Sequence, residues 1–341
     1  MPSTPRRLTL SDVAERVGVS AKTVSRVLNG EGPVSEQTRE RVLTVTRELG
    51  FHRDLMARTM RIGSRDSTVG LVVPEIGNPF FGAVAGGIEE ATRERGLTLI
   101  MGSSEESVER ENSLIATFLA RRVSMLMVVP AVGGDHRYLR RERTGGLPLV
   151  FLDRPATGLT TDCVVSANRT GAALGTSHLI AHGHRRIAFL GDGPSTLFTR
   201  RERFRGYRDA LDEAGLPHRP ELLAEGHSPE AAAGAMARLL ALPEPPTAVL
   251  AGNNFATVGV VKALAQADRR DVALVGFDDP MLGDVLRPGL TVVAQDPAVI
   301  GATAARLALA RLDGTRTAAV RETIPVRLVP RGSGEIAPPP E

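Results

Sequence analysis

The sequence predicts an α/β core of two subdomains built on parallel sheets, preceded by an all-α headpiece with a helix-turn-helix, and three observations predict it. Near the N-terminus two short helical periods are separated only by Gly18-Val19-Ser20, which admits nothing but a tight turn. From Thr68 onward short apolar runs alternate with amphipathic segments, the pattern of parallel strands covered on both faces by helices. The runs are too many for one ordinary open sheet, so two sheets are expected.

The headpiece comes first. In Thr9–Leu28, TLSDVAERVGVSAKTVSRVL, one segment carries Val13, Ala14 and Val17 and the next carries Val24, Val27 and Leu28. Gly18 supplies the permissive backbone that ends the first helix, and Ser20 sits where an N-cap belongs. Ala21, Lys22, Ser25, Arg26 and Asn29 fall on the opposite side of the second helix. A small, polar first turn suits entry into a DNA major groove, although amphipathic helix pairs also serve at core and partner interfaces. Ser35 caps a third helix running through Val42, Leu43 and Leu49 to Gly50. Met1–Arg7 reads as a loose basic arm, and the headpiece spans residues 1–52.

Residues 53–66 form the linker. Asp54 is placed to cap a short helix offering Leu55, Met56, Ala57, Thr59 and Met60, with Arg58 and Arg61 as its charges. So short a helix is marginal in water and needs a partner.

In the core, strands are expected at Val69–Val73, Leu97–Met101, Met125–Val129, Leu149–Leu152, Val164–Val165, Ile187–Leu190, Ala248–Leu250, Val272–Val275 and Val292–Val293. Helices are expected at Phe80–Arg95, Val108–Arg121, Arg169–His182, Phe204–Ala214, Pro229–Leu242 and Phe255–Ala267. Ligands of open parallel sheets bind beyond the carboxyl ends of the strands, so the residues after each run are the candidates. These are Asn78, Phe80, Phe81, Ser103, Ser104, Asp153, Arg154, Asp192, Asn253, Asn254, Asp278 and Asp279, with Arg201 or Arg203 at a helix start. Helix capping or loop solvation accounts better for Asp192, Asn254 and Asp279. Asp, Asn and Arg together ring hydroxyls with donors and acceptors, suiting a sugar or polyol, or a nucleobase stacked on phenylalanine.

Composition sets further bounds. Residues 1–66 hold twelve Lys+Arg against eight Asp+Glu, so the excess of +4 belongs to the headpiece while the whole chain carries +3. The single cysteine, Cys163, cannot make an intramolecular disulfide, which fits a reducing cytoplasm. MPSTPRRLTL has no apolar h-region, and no stretch has the length of a membrane span. The phosphate-loop, G-x-G-x-x-G, G-x-S-x-G and H-E-x-x-H patterns do not occur at the places where chemistry needs them, so no enzyme is expected. His178, His182 and His184 suggest a metal by spacing alone; the GHRRIAFL run reads instead as a turn into a strand, and neither metal nor cofactor is expected.

The run TLSDVAERVGVSAKTVSRVLNGEGPVSEQTRERV resembles the DNA-binding headpiece of the LacI/GalR family of transcription regulators, and the likeness covers nearly the whole chain. The resemblance implies periplasmic-binding-protein-like subdomains with a ligand cleft between them. The N-subdomain would take about 67–166 and 297–322 and the C-subdomain about 167–296 and 323–333, with a last strand near Ile324–Val329 and a loose tail at 334–341. It implies base reading by Ala21, Lys22 and Arg26, and phosphate contacts by Thr9, Thr23, Ser25, Asn29 and Ser35. In the hinge it puts Ala57 and Met60 at the minor groove, and in the cleft it assigns Phe80, Phe81, Asp153, Arg201, Asn253 and Asp278 to the effector. Partners would be a palindromic operator in double-stranded DNA, a small-molecule effector (sugar, polyol, nucleoside or base) and a second copy of the chain. No heptad tail follows Ser333, so a dimer is expected before a dimer of dimers. The chain departs from the family at Phe51, Arg53 and Asp54, where tyrosine, proline and asparagine are usual, and at Asn253-Asn254, where many relatives have Asn-Asp. The alternative is a solute-binding protein or Rossmann-like enzyme with an N-terminal interaction module.

Overall fold

A computed structural model describes residues 8–29, 32–49, 67–315 and 318–340. The chain divides into two compact units, Met1–Asp66 and Ser67–Glu341. The expected hinge helix, with Ala57 and Met60, lies outside the described residues, as do Phe51, Arg53 and Asp54 and the Gly50 stop.

The first unit holds three helices, α1 (Leu10–Val17), α2 (Ala21–Asn29) and α3 (Glu36–Glu48). Thr9 and Asp12 form a reciprocal capping box at the start of α1, and Gly18 ends it in the left-handed region at φ 77°. Ser20 Oγ accepts from the amide of Thr23 at 3.1 Å, and Ser35 Oγ caps α3 through the amide of Thr38 at 3.3 Å. Val13, Ala14, Val17, Val24, Val27 and Val42 make the core. Arg41 fastens α3 to α1 by donating to the Val17 carbonyl at 2.6 Å, meeting one of the acceptors that a helix end leaves unpaired.

The second unit is two lobes, each on a six-stranded sheet. In chain order, β1 (Thr68–Val73), α4 (Pro79–Arg93), β2 (Thr98–Ser103), α5 (Val108–Ala120), β3 (Met125–Val128), α6 (Arg140–Thr144), β4 (Leu149–Leu152) and β5 (Asp162–Ser166) build the first. Then α7 (Asn168–Ala181), β6 (Ile187–Gly191), α8 (Phe198–Glu213), β7 (Leu223–Glu225), α9 (Pro229–Leu240), β8 (Ala248–Ala251), α10 (Asn254–Gln266), β9 (Ala273–Phe277) and β10 (Thr291–Ala294) build the second. The chain returns through α11 (Pro297–Leu312) and β11 (Arg321–Ile324) and ends in β12 (Arg327–Val329). The sheet orders are β11-β5-β4-β3-β1-β2 and β12-β10-β9-β8-β6-β7, so the lobes repeat one plan. Every pairing is parallel except that of β10 with β12.

The single last strand expected at Ile324–Val329 is two strands in different sheets. The expected subdomain limit at 322/323 falls inside β11, and the chain passes between lobes only beyond Ile324, at Pro325, which has no amide to extend the ladder. The tail expected to be loose is anchored at Glu335 and Ile336. Glu335 accepts from the Thr291 hydroxyl at 2.8 Å and meets His178, Ile336 packs on the second lobe's core, and His184 Nε2 donates to the Ile336 carbonyl at 2.7 Å. His184 Nδ1 binds Thr247, so the three histidines do not converge on one point.

Helix pairs that close each lobe touch backbone to backbone. A Cβ on Gly206 of α8 would stand 1.9 Å from the Arg169 carbonyl oxygen of α7, whereas one on Gly86 of α4 would meet nothing within 4 Å. Gly206→Ala must therefore push the helices apart, and should lower unfolding free energy by about 1–3 kcal/mol in a urea titration. Gly86→Ala should be neutral or stabilising by up to about 1 kcal/mol, and equal losses in the two variants would contradict the close approach.

Candidate functional site

On α2, Ala21, Lys22 and Arg26 are exposed, Ser25 and Thr23 are half-buried, and Val24 and Val27 lie in the core. The outward set follows i, i+1, i+4, i+5, one face of a helix. Three expected phosphate contacts have local work. Thr9 Oγ1 donates to Asp12 at 2.7 Å, Thr23 Oγ1 pairs with Ser20 at 2.9 Å, and Ser35 Oγ pairs with Thr38 at 2.8 Å. These hydroxyls sit in first turns, where free amides and the helix dipole favour an anion. Asn29 closes α2, its side chain lying outside the described part.

In the second unit a cavity of about 170 Å³ opens at the carboxyl ends of both sheets. Phe80 and Phe81, edge to face at 5.3 Å, enter it from the start of α4. Asp153 follows β4 and Asp278 follows β9, and both take left-handed backbones, φ 61° and 73°. Each amide donates to the neighbouring strand, Asp153 to Val164 and Asp278 to Val293, at 2.8 and 2.9 Å. Corresponding carboxylates of the duplicated plan thus face one cleft. Burial holds both carboxyls above the usual range, with Arg203 opposing the shift at each.

Arg201, expected to bind the effector, does not line this cavity; Arg203 does. Expecting the helix to begin at Phe204 hid the phase: α8 starts at Phe198, and its buried face is Thr199, Arg203, Gly206, Tyr207 and Ala210. Arg201, two residues off that face, is 47% exposed beside Glu202. Arg203 is buried, donates to Asn168 Oδ1 and the Gly252 carbonyl, each at 2.7 Å, and lies 3.8 Å over the Phe277 ring. Burial lowers its pKa, and Asp278 and Asp153 oppose that.

Asn253 lines the cavity while its side-chain Oδ1 caps α10 by accepting from the Ala256 amide. Asn254, given above to capping, also reaches across the cleft, donating to Asn78 Oδ1 at 2.7 Å. Asp192, likewise assigned to a cap or loop, lines the cavity and binds His227 Nδ1 at 2.8 Å. Asp279 pairs with Arg331 instead. Glu75, Glu105, Glu106 and Gln295 were legible by the strand-end rule and not singled out. His227 follows β7, which no apolar run announced.

The hydrogen bond with Asp192 raises the His227 pKa. Below about pH 6.5 the imidazole is charged in folded and unfolded chains alike, and the pairing stabilises fully; the contribution is lost as pH rises through the raised folded value. His227→Asn should remove that part of the stability–pH profile, and an unchanged profile between pH 5 and about 8 would discount the pair. Half-exposed, it gives a small effect.

Residues 9–54 match the bacterial regulatory proteins of the lacI family, and residues 176–334 match a periplasmic binding protein-like domain. The HTH-type transcriptional regulator GalR of Salmonella typhimurium is 32% identical over 331 residues, covering 95% of each chain. A lac repressor dimer bound to operator and the anti-inducer ONPF superposes with TM-score 0.82 at 27% identity, covering 96% of this chain and 99% of that one. A transcriptional regulator CelR–cellobiose complex gives 0.71 at 30% identity, covering 96% and 100%. Among the described residues no helix is long and apolar enough to cross a membrane.

Proposed function

The chain belongs to the LacI family of bacterial regulatory proteins, and on that premise we propose that it is a repressor whose hold on a palindromic operator is set by a small molecule in the cleft. The observation that carries the reading is α2: Lys22, Arg26 and Ala21 form one exposed face while the opposite face fills the headpiece core. Ala21, Lys22 and Arg26 read bases, and Thr9, Thr23, Ser25, Asn29 and Ser35 set register on phosphates. Ala57 and Met60 belong to the hinge helix at the minor groove, by similarity to the family. Phe80, Phe81, Asp153, Asn253 and Asp278 contact the effector together with Arg203. The cleft's Asn78–Asn254 contact spans the two lobes, so ligand that alters their approach alters what the lobes present to the headpieces.

Gel shifts with a library of palindromic duplexes test the reading. Selection of one half-site sequence is expected; indifference to sequence or to duplex DNA would overturn it.

A dimer holds two half-sites at once, and the related lac repressor was captured as a dimer on its operator. The loop after β9 exposes Met281, Val285 and Leu286, with Met281 92% accessible, an apolar run suited to a second copy. Met281→Asp/Val285→Asp should shift sedimentation to the monomer and weaken operator binding at least about 100-fold through lost bivalency. A double variant that remains dimeric would place the interface elsewhere.

A further inference from the structure

We propose that the cleft takes a hydroxylated amine of monosaccharide size, recognised by its positive charge, and excludes phosphorylated and acidic ligands. The proposal rests on the regulator reading and names its effector class.

Six carboxylates line the cavity, from Glu75, Glu105, Glu106, Asp153, Asp192 and Asp278. Positive groups are fewer and already engaged. Arg154 forks onto Glu106 at 2.7 and 3.0 Å and donates to the Pro130 carbonyl at 2.9 Å. Arg203 serves Asn168 and Gly252, and its charge is felt by both Asp153 and Asp278 without an ion pair to either. Arg110 reaches Glu105 from outside the cavity, and His227 takes Asp192. Even with His227 protonated, the carboxylates outnumber these partners by two. A phosphate or carboxylate ligand adds to that excess, whereas one ammonium group reduces it.

Two acceptors of the cavity are left over, beside one buried unpaired donor, Arg154 Nε. Asp153 is 6% exposed, accepts no hydrogen bond among the described residues, and has Arg154 Nε no nearer than 3.6 Å. Gln295 Oε1 is buried without a donor. Both are acceptors, and a buried acceptor calls for a donor; hydroxyl and ammonium groups supply them, while phosphate oxygens do not. Backbone conformation adds a third observation. Glu105, Glu106, Asp153 and Asp278 all have positive φ, 51° to 73°, four of the seven such non-glycine residues among those described. That geometry is unfavourable for side chains and is held where the surroundings enforce it, and here it gathers acids. Burial raises Asp153 and Asp278, and the neighbouring arginine charge only opposes that shift. At about 170 Å³ the space is below the range of drug-sized sites, about 300–1,000 Å³, and Phe80, Phe81 and Phe255 offer it ring surfaces.

The full chain is titrated with glucosamine, galactosamine and mannosamine, their neutral parent sugars, their N-acetyl derivatives and the parent 6-phosphates, by thermal shift and calorimetry. At least one amine should bind about tenfold or more tightly than both its parent and its N-acetyl form, and no phosphate should raise Tm. Asp153→Asn, or Glu75→Gln if the first does not fold, should bring the amine-to-parent ratio towards one. A phosphate that binds, a parent that matches its amine, or no binding by any amine overturns the proposal. Gel shifts on the unliganded chain separate this from the regulator reading: sequence-selective binding with no amine preference leaves the regulator standing, and absent DNA binding removes the regulator alone.

Discussion

Arg203→Ala should lower the core's unfolding free energy by about 3–5 kcal/mol, the range for leaving a buried charge without its partner. The side chain is 5% exposed, and its loss removes a charge that opposes the effect of burial on Asp153 and Asp278 and leaves Asn168 Oδ1 and the Gly252 carbonyl without a donor. The contact over Phe277 goes as well. The deficit should be largest near neutral pH and ease in acid, because a protonated carboxyl needs no cation. Arg201→Ala, two residues away and half-exposed, should stay within about 0.5 kcal/mol and keep its ligand response. Urea titrations of both variants at two pH values decide it: similar midpoints would mean that Arg203 does not organise the cleft.

Lys22→Ala and Arg26→Ala should each weaken binding to the preferred duplex by about 1–3 kcal/mol and relax specificity at the base each reads. Neither side chain contributes to the headpiece core, so the helical signal should be unchanged and the loss assigned to recognition. The measurement is a gel shift against the preferred site and single-base variants at fixed salt. If every duplex weakens equally, the residue grips phosphate instead, and the assignment of base readers is wrong.

The headpiece was legible because its signals are local: Ser20 and Ser35 cap, Gly18 stops, and a short turn forces the helices together, while the Thr9 capping box emerges only in the structure. The strands were legible because parallel sheets buried on both faces read as unbroken apolar runs, as β3, β4 and β8 are throughout. β7 was not, because an edge strand of LAE has no such run. In the cleft, strand ends revealed which loops matter but not which side chains point inward. Arg203 could be recognised only from the phase of α8, and Asn254 and Asp192 do a cap's or loop's work while also facing the cavity. The anchoring of Glu335 and Ile336 depends on partners more than forty residues away, beyond any local pattern.

The helix that follows the fifth strand of each sheet does not stay with it: α7 packs on α8 in the second lobe, and α11 packs on α4 in the first. Neither lobe is therefore made of one uninterrupted segment. A fragment of residues 67–166 would leave Val84 and Ile88 without Ile300, Ala304 and Leu307, and its sheet without β11. During synthesis the first sheet cannot be completed until Ile324 has left the ribosome, nor the second until Val329 has, so the two halves of the core must mature together and late.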